Sequence, residues 1–165
     1  MSEDQKVVSI IDYINENNIC NKYLNKINSI IGSSNVEVLA RVKDKESALQ
    51  KMQVRKFTYA NQISDFIGFM LVTDKVEDVY KIRNKLKNTF GNCKEEDYIK
   101  NPKNGYQSIH LNYFVEKNIP LEIQIKTKRM KLAQDIVHDK IYKNFKLSED
   151  LRNVLSKLAF LKILK

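Results

Sequence analysis

Apolar residues recur at helical spacing from Lys6 to Asn17, where Val7, Ile10, Ile11 and Ile14 mark one face. The same period returns over Lys22–Ile31 and stops at Gly32-Ser33-Ser34. Val36 to Val42 alternates instead, with Val36, Val38, Ala40 and Val42 set against Glu37 and Arg41, which predicts a half-buried strand. Lys45–Arg55 reads as helix. Phe66–Thr73 is an almost unbroken apolar run, short enough for a buried central strand. A helix is expected over Lys75–Phe90, N-capped by Asp74 and ended by Gly91-Asn92. Asp97–Gly105, with Pro102, Asn104 and Gly105, reads as a loop. Ser108–Val115 and Leu121–Thr127 alternate around the polar turn Glu116-Lys117-Asn118 and predict an antiparallel hairpin. Helices over Lys128–Lys143 and Ser148–Leu164 complete an α/β chain with a mixed central sheet flanked by helices.

At 165 residues, 42% hydrophobic and 30% charged, this pattern suits one globular domain over residues 1–165. Cys20 and Cys93 stand far apart and match no metal spacing, so a disulfide framework and a zinc site are not expected. The acidic start Met1-Ser2-Glu3-Asp4-Gln5 has no apolar stretch behind it, and no run approaches the roughly 18 residues of a membrane span. A cytoplasmic protein with no membrane contact is expected. The formal charge of +9 favours anionic partners such as nucleotides or RNA. Lysines that merely solvate surface helices would give the same charge.

Three clusters carry candidate chemistry. Arg41 and Lys43 lie two apart on a strand and share a face, while Ser47 and Lys51 lie four apart on the next helix. Three cations and a hydroxyl at a strand–helix junction suit a polyphosphate, and suit a solvated surface as well. Asp65 precedes the buried strand, where Gly68 permits close approach. Glu122, Gln124 and Lys126 share one face of their strand, opposite Leu121, Ile123 and Ile125. Two acids from neighbouring strands suit Mg2+ held jointly with nucleotide phosphates, although an ordinary amphipathic strand has the same pattern. In the third cluster, Lys103 and a loop lead into Tyr106, Ser108 and His110, a flat ring beside groups that meet phosphates. The alternative there is a turn followed by a partly buried aromatic strand.

The order of these clusters is more specific than any one of them. Arg-x-Lys-x3-Ser-x3-Lys, Asp-x2-Gly, Asp-Tyr-Ile, Gly105-Tyr106-Gln107-Ser108-Ile109-His110 and Glu122-Ile123-Gln124-Ile125-Lys126-Thr127 together resemble the synthetase domain of the RelA/SpoT family, over roughly Val38 to Lys143. The resemblance implies a nucleotidyltransferase-like fold with a motif-bearing core over about 36–143. It implies transfer of the β,γ-pyrophosphate of ATP to the 3′-hydroxyl of GDP or GTP. Carried over by position, Arg41, Lys43, Ser47 and Lys51 hold ATP, while Asp65 binds Mg2+. Tyr106 stacks on the acceptor guanine, with Lys103, Gln107 and His110 around the acceptor. Glu122 shares the metal or takes the 3′-hydroxyl proton, and Gln124 and Lys126 orient the site on the acceptor side.

The chain departs from the family pattern at Met70 and Lys126, where arginine is usual, and at Glu96, where lysine is usual. It also has one residue fewer between Lys103 and Asn104. These changes bear on rate and acceptor choice. They keep two other functions in view, a tRNA 3′-end pyrophosphokinase and a catalytically degenerate module that binds nucleotide or RNA. His138-Asp139 matches the dipeptide of HD phosphohydrolases, but without that domain's further ligands no hydrolase is expected. The apolar tail helix is the candidate contact for a homo-oligomer.

Overall fold

The computed structural model describes residues 1–144 and 146–164. Two helices, α1 (Glu3–Glu16) and α2 (Ile19–Ile31), precede β1 (Glu37–Val42) and α3 (Lys45–Val54). Then come β2 (Ile67–Thr73), α4 (Val76–Phe90), β3 (Lys94–Asp97), β4 (Ile109–Val115) and β5 (Ile119–Thr127), followed by α5 (Lys128–Val137) and α6 (Glu149–Ile163). The strands form one sheet in the order β1-β2-β5-β4-β3. β2 and β5 run parallel and every other neighbouring pair is antiparallel, so the sheet is mixed as expected.

One face of the sheet is the core. Ile67, Phe69 and Leu71 of β2, Ile109 and Leu111 of β4, and Ile123 and Ile125 of β5 are each 2% exposed or less. Val79, Ile82 and Leu86 of α4 and Tyr23, Ile27 and Ile31 of α2 cover them. Each fully buried aliphatic side chain contributes about 1.5–3 kcal/mol. That fixes the register, because a one-residue slip of β5 would turn Glu122 and Gln124 into the core and Ile123 out of it.

The other face carries the polar positions in transverse rows. Arg41, Gly68, Glu122 and Asn112 are successive register partners, and so are Leu39, Met70, Gln124 and His110. α5 packs over β2 and β5 at one end of this face, where Val72 and Lys126 are buried. Gly68, Glu122, Met70 and Gln124 remain half-buried.

Three local expectations change. Asp74 does not cap α4: the helix begins one residue later, with Lys75 at the cap position and no side-chain bond there. Thr73 and Thr127 are register partners, which places Asp74 beside Lys128, and the Asp74 carboxylate pairs with that ammonium at 2.7 Å. Lys94–Asp97 forms an edge strand that charge concealed, since it lacks any apolar residue. Arg83 grips its Glu95 with two bonds of 2.6 and 2.8 Å, and Lys87 adds a third at 2.7 Å. Finally, the helix expected over Lys128–Lys143 is regular only to Val137, and His138–Tyr142 widens into a π-turn.

Candidate active site

β1 and α3 deliver three cations to one acid. Lys43 Nζ lies 3.0 Å from Asp65 Oδ2, Lys51 Nζ 2.9 Å from Oδ1, and Arg41 Nη2 3.3 Å from Oδ2. Asp44 caps α3 through the Ser47 amide and so fixes the turn that swings Lys51 towards β1. Asp65 is 8% exposed. Burial opposes its ionisation, but the bonds and charges of Lys51 and Lys43 outweigh burial and hold its carboxyl below the usual range. Arg41 extends over Gly68, where an added Cβ would meet Arg41 Cγ and Nε at 3.6 Å. A larger side chain there would fill the gap between Arg41 and Glu122.

Ser47 does not join this group. Its hydroxyl donates to Asp44 Oδ2 at 2.7 Å, within its own helix cap.

The second acid stands at the same end of the sheet. Glu122 pairs in register with Gly68, and Ser64, the neighbour of Asp65, lies 3.4 Å from Glu122 Oε2. Gln124 Nε2 donates to Glu122 Oε1 at 2.9 Å. Glu122, Ser64 and Asn112 line a cavity of about 590 Å3, and the buried Oδ1 of Asn112 has no hydrogen-bond donor. No group of three or more His, Cys, Asp or Glu among the described residues is placed to hold a metal on protein ligands alone. Asp65 and Glu122 supply hard oxygen donors of the kind Mg2+ takes when phosphates complete its shell.

A third group adjoins Gln124. The Tyr106 hydroxyl lies 2.8 Å from His110 Nε2 and accepts from Lys126 Nζ at 3.1 Å. Burial, with repulsion from Lys126 and Lys103, lowers the His110 pKa to about 4, so the ring is neutral near pH 7. A proton on Nδ1 then faces Glu122 Oε2 at 3.7 Å and leaves Nε2 to accept from Tyr106.

Lys126 is fully buried, and its ammonium donates to Tyr106, to Gln124 Oε1 at 2.9 Å and to Gln134 Oε1 at 2.5 Å. All three of its hydrogens are committed within the protein, so it orients the site from behind. Burial brings its pKa down to about 7, against the attraction of Glu122 and Asp135.

Tyr98, Lys103, Tyr106, His138, Tyr142 and Phe160 surround a cavity of about 280 Å3. Asn104 and Gly105 form its two-residue turn, with φ of 50° and 85° and paired bonds between Lys103 and Tyr106. The chain's shorter loop is thus a tight hairpin turn. Gln107 lies apart from this cavity, lining a groove with Lys157, Phe160 and Leu161 of α6.

Phe160 packs so closely on the turn that a Cβ on Gly105 would come within 2.5 Å of Phe160 Cβ. Gly105→Ala is expected to cost about 2 kcal/mol from the left-handed backbone alone, with the clash added. A fall in the thermal unfolding midpoint checks it, and an unchanged midpoint would contradict the packing.

Tyr98 entered only with its Asp-Tyr-Ile motif and without a role, and Gln134, Ser64 and Asn112 were not singled out from sequence. Gln134 alone left a signal, as a polar residue within the inward stripe of Met130, Ala133 and Val137.

The mixed sheet defines an α/β domain in which three cations gather on one carboxylate at the sheet's open face. The chain belongs to the RelA/SpoT family: the model for the region found in RelA/SpoT proteins matches residues 40–146. It is 38% identical over 101 residues to an Arabidopsis thaliana protein named "Probable GTP diphosphokinase RSH3, chloroplastic", a match covering 59% of this chain and 14% of that protein. It is 34% identical over 98 residues to a GTP pyrophosphokinase of Haemophilus influenzae, covering 58% and 13%. The chain thus spans about a seventh of the length of these relatives. Its fold matches the small alarmone synthetase 1 of Bacillus subtilis bound to its product pppGpp, with a TM-score of 0.67, 22% identity, and 96% and 91% of the two chains covered. Among the described residues no helix is long and apolar enough to cross a membrane.

Proposed function

We propose that residues 1–165 act as a single cytoplasmic synthetase domain that moves the β,γ-pyrophosphate of ATP to the 3′-hydroxyl of GDP or GTP. The observation that carries this reading is the convergence of Arg41, Lys43 and Lys51 on one carboxylate, beside a second acid on the adjoining strand. In the free protein Asp65 occupies the place where a polyphosphate would accept the same donors. The relatives' names as GTP diphosphokinase and GTP pyrophosphokinase support the same chemistry.

In this reading Arg41, Lys43 and Lys51 turn to the ATP phosphates, with Ser47 near the first turn of α3. Tyr106 presents its ring to the guanine in the smaller cavity, with Lys103 and neutral His110 beside the acceptor. Mg2+, when bound to Asp65 and Glu122, would neutralise charge on the transferring phosphates. Glu122 takes the proton of the ribose 3′-hydroxyl. The freed oxygen bonds to the β-phosphorus, the bond from that phosphorus to the α-phosphate's bridging oxygen breaks, and AMP leaves. Such transfer depends on in-line placement and charge neutralisation, and needs no protein nucleophile.

α6 exposes Leu151, Val154, Leu158 and Leu161 at alternating three- and four-residue steps, and is proposed as a homo-oligomer contact.

Incubation with γ-labelled ATP and GDP, GTP or tRNA tests the reading. Label in guanosine tetra- or pentaphosphate is expected. Label on tRNA would assign the larger acceptor instead, and no transfer would leave a binding module. Tyr106→Ala is expected to raise the acceptor KM about 10-fold or more, as loss of one base–aromatic stack implies, with the ATP KM little changed. An unchanged acceptor KM would remove the stacking role.

A further inference from the structure

Lys126 is a buried amine that the transfer chemistry does not use directly, and its surroundings are unusually complete. From β5, Gln124 faces it and Glu122 lies beyond. From α5 come Gln134, Lys131 and Asp135, from beside the turn Tyr106, and from β4 His110, which is itself faced by Lys103 and by Glu96 of β3. On β2 its register partner is the apolar Val72. A continuous chain of bonds crosses the site: Gln134 Oε1 accepts from Lys126, Lys126 donates to Gln124 Oε1, and Gln124 Nε2 donates to Glu122 Oε1. Each amide is used at one definite end, so the chain has a single orientation. A neutral amine has only two N–H donors, and on losing its proton Lys126 must release one of its three acceptors.

We propose that Gln134 is a positioning residue for this reaction: by accepting from Lys126 it holds the ammonium against Gln124 and Tyr106, and through Gln124 it fixes the carboxylate of Glu122. The inference rests on the pyrophosphate-transfer reading for its catalytic meaning, and on side-chain geometry alone for the link between Gln134 and Lys126. It makes α5, which contributes no charged group to the reacting atoms, part of the catalytic apparatus.

Two substitutions move Lys126 in opposite directions. Gln134→Glu keeps size and the acceptor oxygen while adding negative charge, which favours the ammonium. Gln134→Leu removes the acceptor and leaves the amine in apolar surroundings, which disfavours it. The first readout is the Lys126 titration itself, followed by NMR on protein labelled at lysine Cε, with the signal assigned by its loss in Lys126→Met. The wild-type midpoint is expected near 7. It should rise by about one pH unit in Gln134→Glu and fall by about one in Gln134→Leu.

The second readout is kcat/KM for the acceptor against pH, which reports the free enzyme. The protonated form is the competent one, so kcat/KM should fall as pH rises through that midpoint, and the fall should move with each variant. In a Lys126→Met background both Gln134 changes should leave the profile where it is.

The same lysine titration in wild type and both variants would overturn the proposal. So would a titration that shifts while the rate profile stays fixed, since Gln134 would then touch Lys126 without positioning Glu122. Absence of label transfer in wild type counts against the transfer reading and against the catalytic role of Gln134, while the NMR titration still decides the Gln134–Lys126 link. Should Gln134→Leu fail to fold, the isosteric Gln134→Glu carries both readouts.

Discussion

Glu122→Gln is expected to lower turnover by about 100-fold or more, the usual scale for loss of a general base. The substitution is nearly isosteric, and its single amide oxygen can keep the stronger bond, from Gln124, while the longer one from Ser64 to the other carboxylate oxygen is lost. The core side of β5 is untouched, so the unfolding midpoint should change little. Measured kcat and ATP KM separate the effects: kcat falls and KM for ATP stays near wild type, because the phosphate donors lie on β1 and α3. A variant with wild-type kcat would remove Glu122 from the chemistry.

Asp65→Ala is expected to be as damaging to turnover, again about 100-fold or more if the carboxylate holds the metal, but with a different signature. Removing the acid leaves Arg41, Lys43 and Lys51 facing one another without their anion. Breaking a well-buried pair costs about 3–5 kcal/mol. Here the Arg41 side chain is 68% exposed and that of Lys51 28%, so solvent screening brings the expected cost to about 1–3 kcal/mol. An anion should restore much of it. ATP without metal, or inorganic phosphate, should raise the unfolding midpoint of Asp65→Ala more than that of wild type, since no internal carboxylate competes for the donors. Turnover lost together with strengthened metal-free nucleotide binding supports the assignment. Weakened binding would mean that Asp65 organises the cations and does not stand in for a phosphate.

Legibility in the sequence followed physical cause. The central strands declared themselves because burial on one face forces the alternation seen in Leu121–Thr127. Asp65 and Glu122 were legible because their motif spacing survives, and Arg41, Lys43 and Lys51 because strand and helix periods placed them at one junction. Sequence could not reveal that these cations would already be engaged by Asp65. Nor could it show that Lys126 would be buried deeply enough to titrate near neutrality, because that depends on α5 closing over β5, a contact between whole elements. β3 was hidden for the opposite reason. Lys94-Glu95-Glu96-Asp97 has the composition of a solvated loop, and only its pairing with β4 and its ion pairs with α4 make it a strand. Gln107 was drawn in by its motif, yet it lies before β4 and lines the groove beside α6, apart from the cavity that holds Tyr106.

The same acidic strand bears on how copies of this protein can meet. A free sheet margin is a template for further strands, and exposed hydrophobic ones seed aggregates. Here that margin carries charge at every position, and two basic side chains from α4 brace it, so a neighbouring backbone arriving to hydrogen-bond would have to strip water from carboxylates to dock. Growth of the sheet across molecules is discouraged on that side.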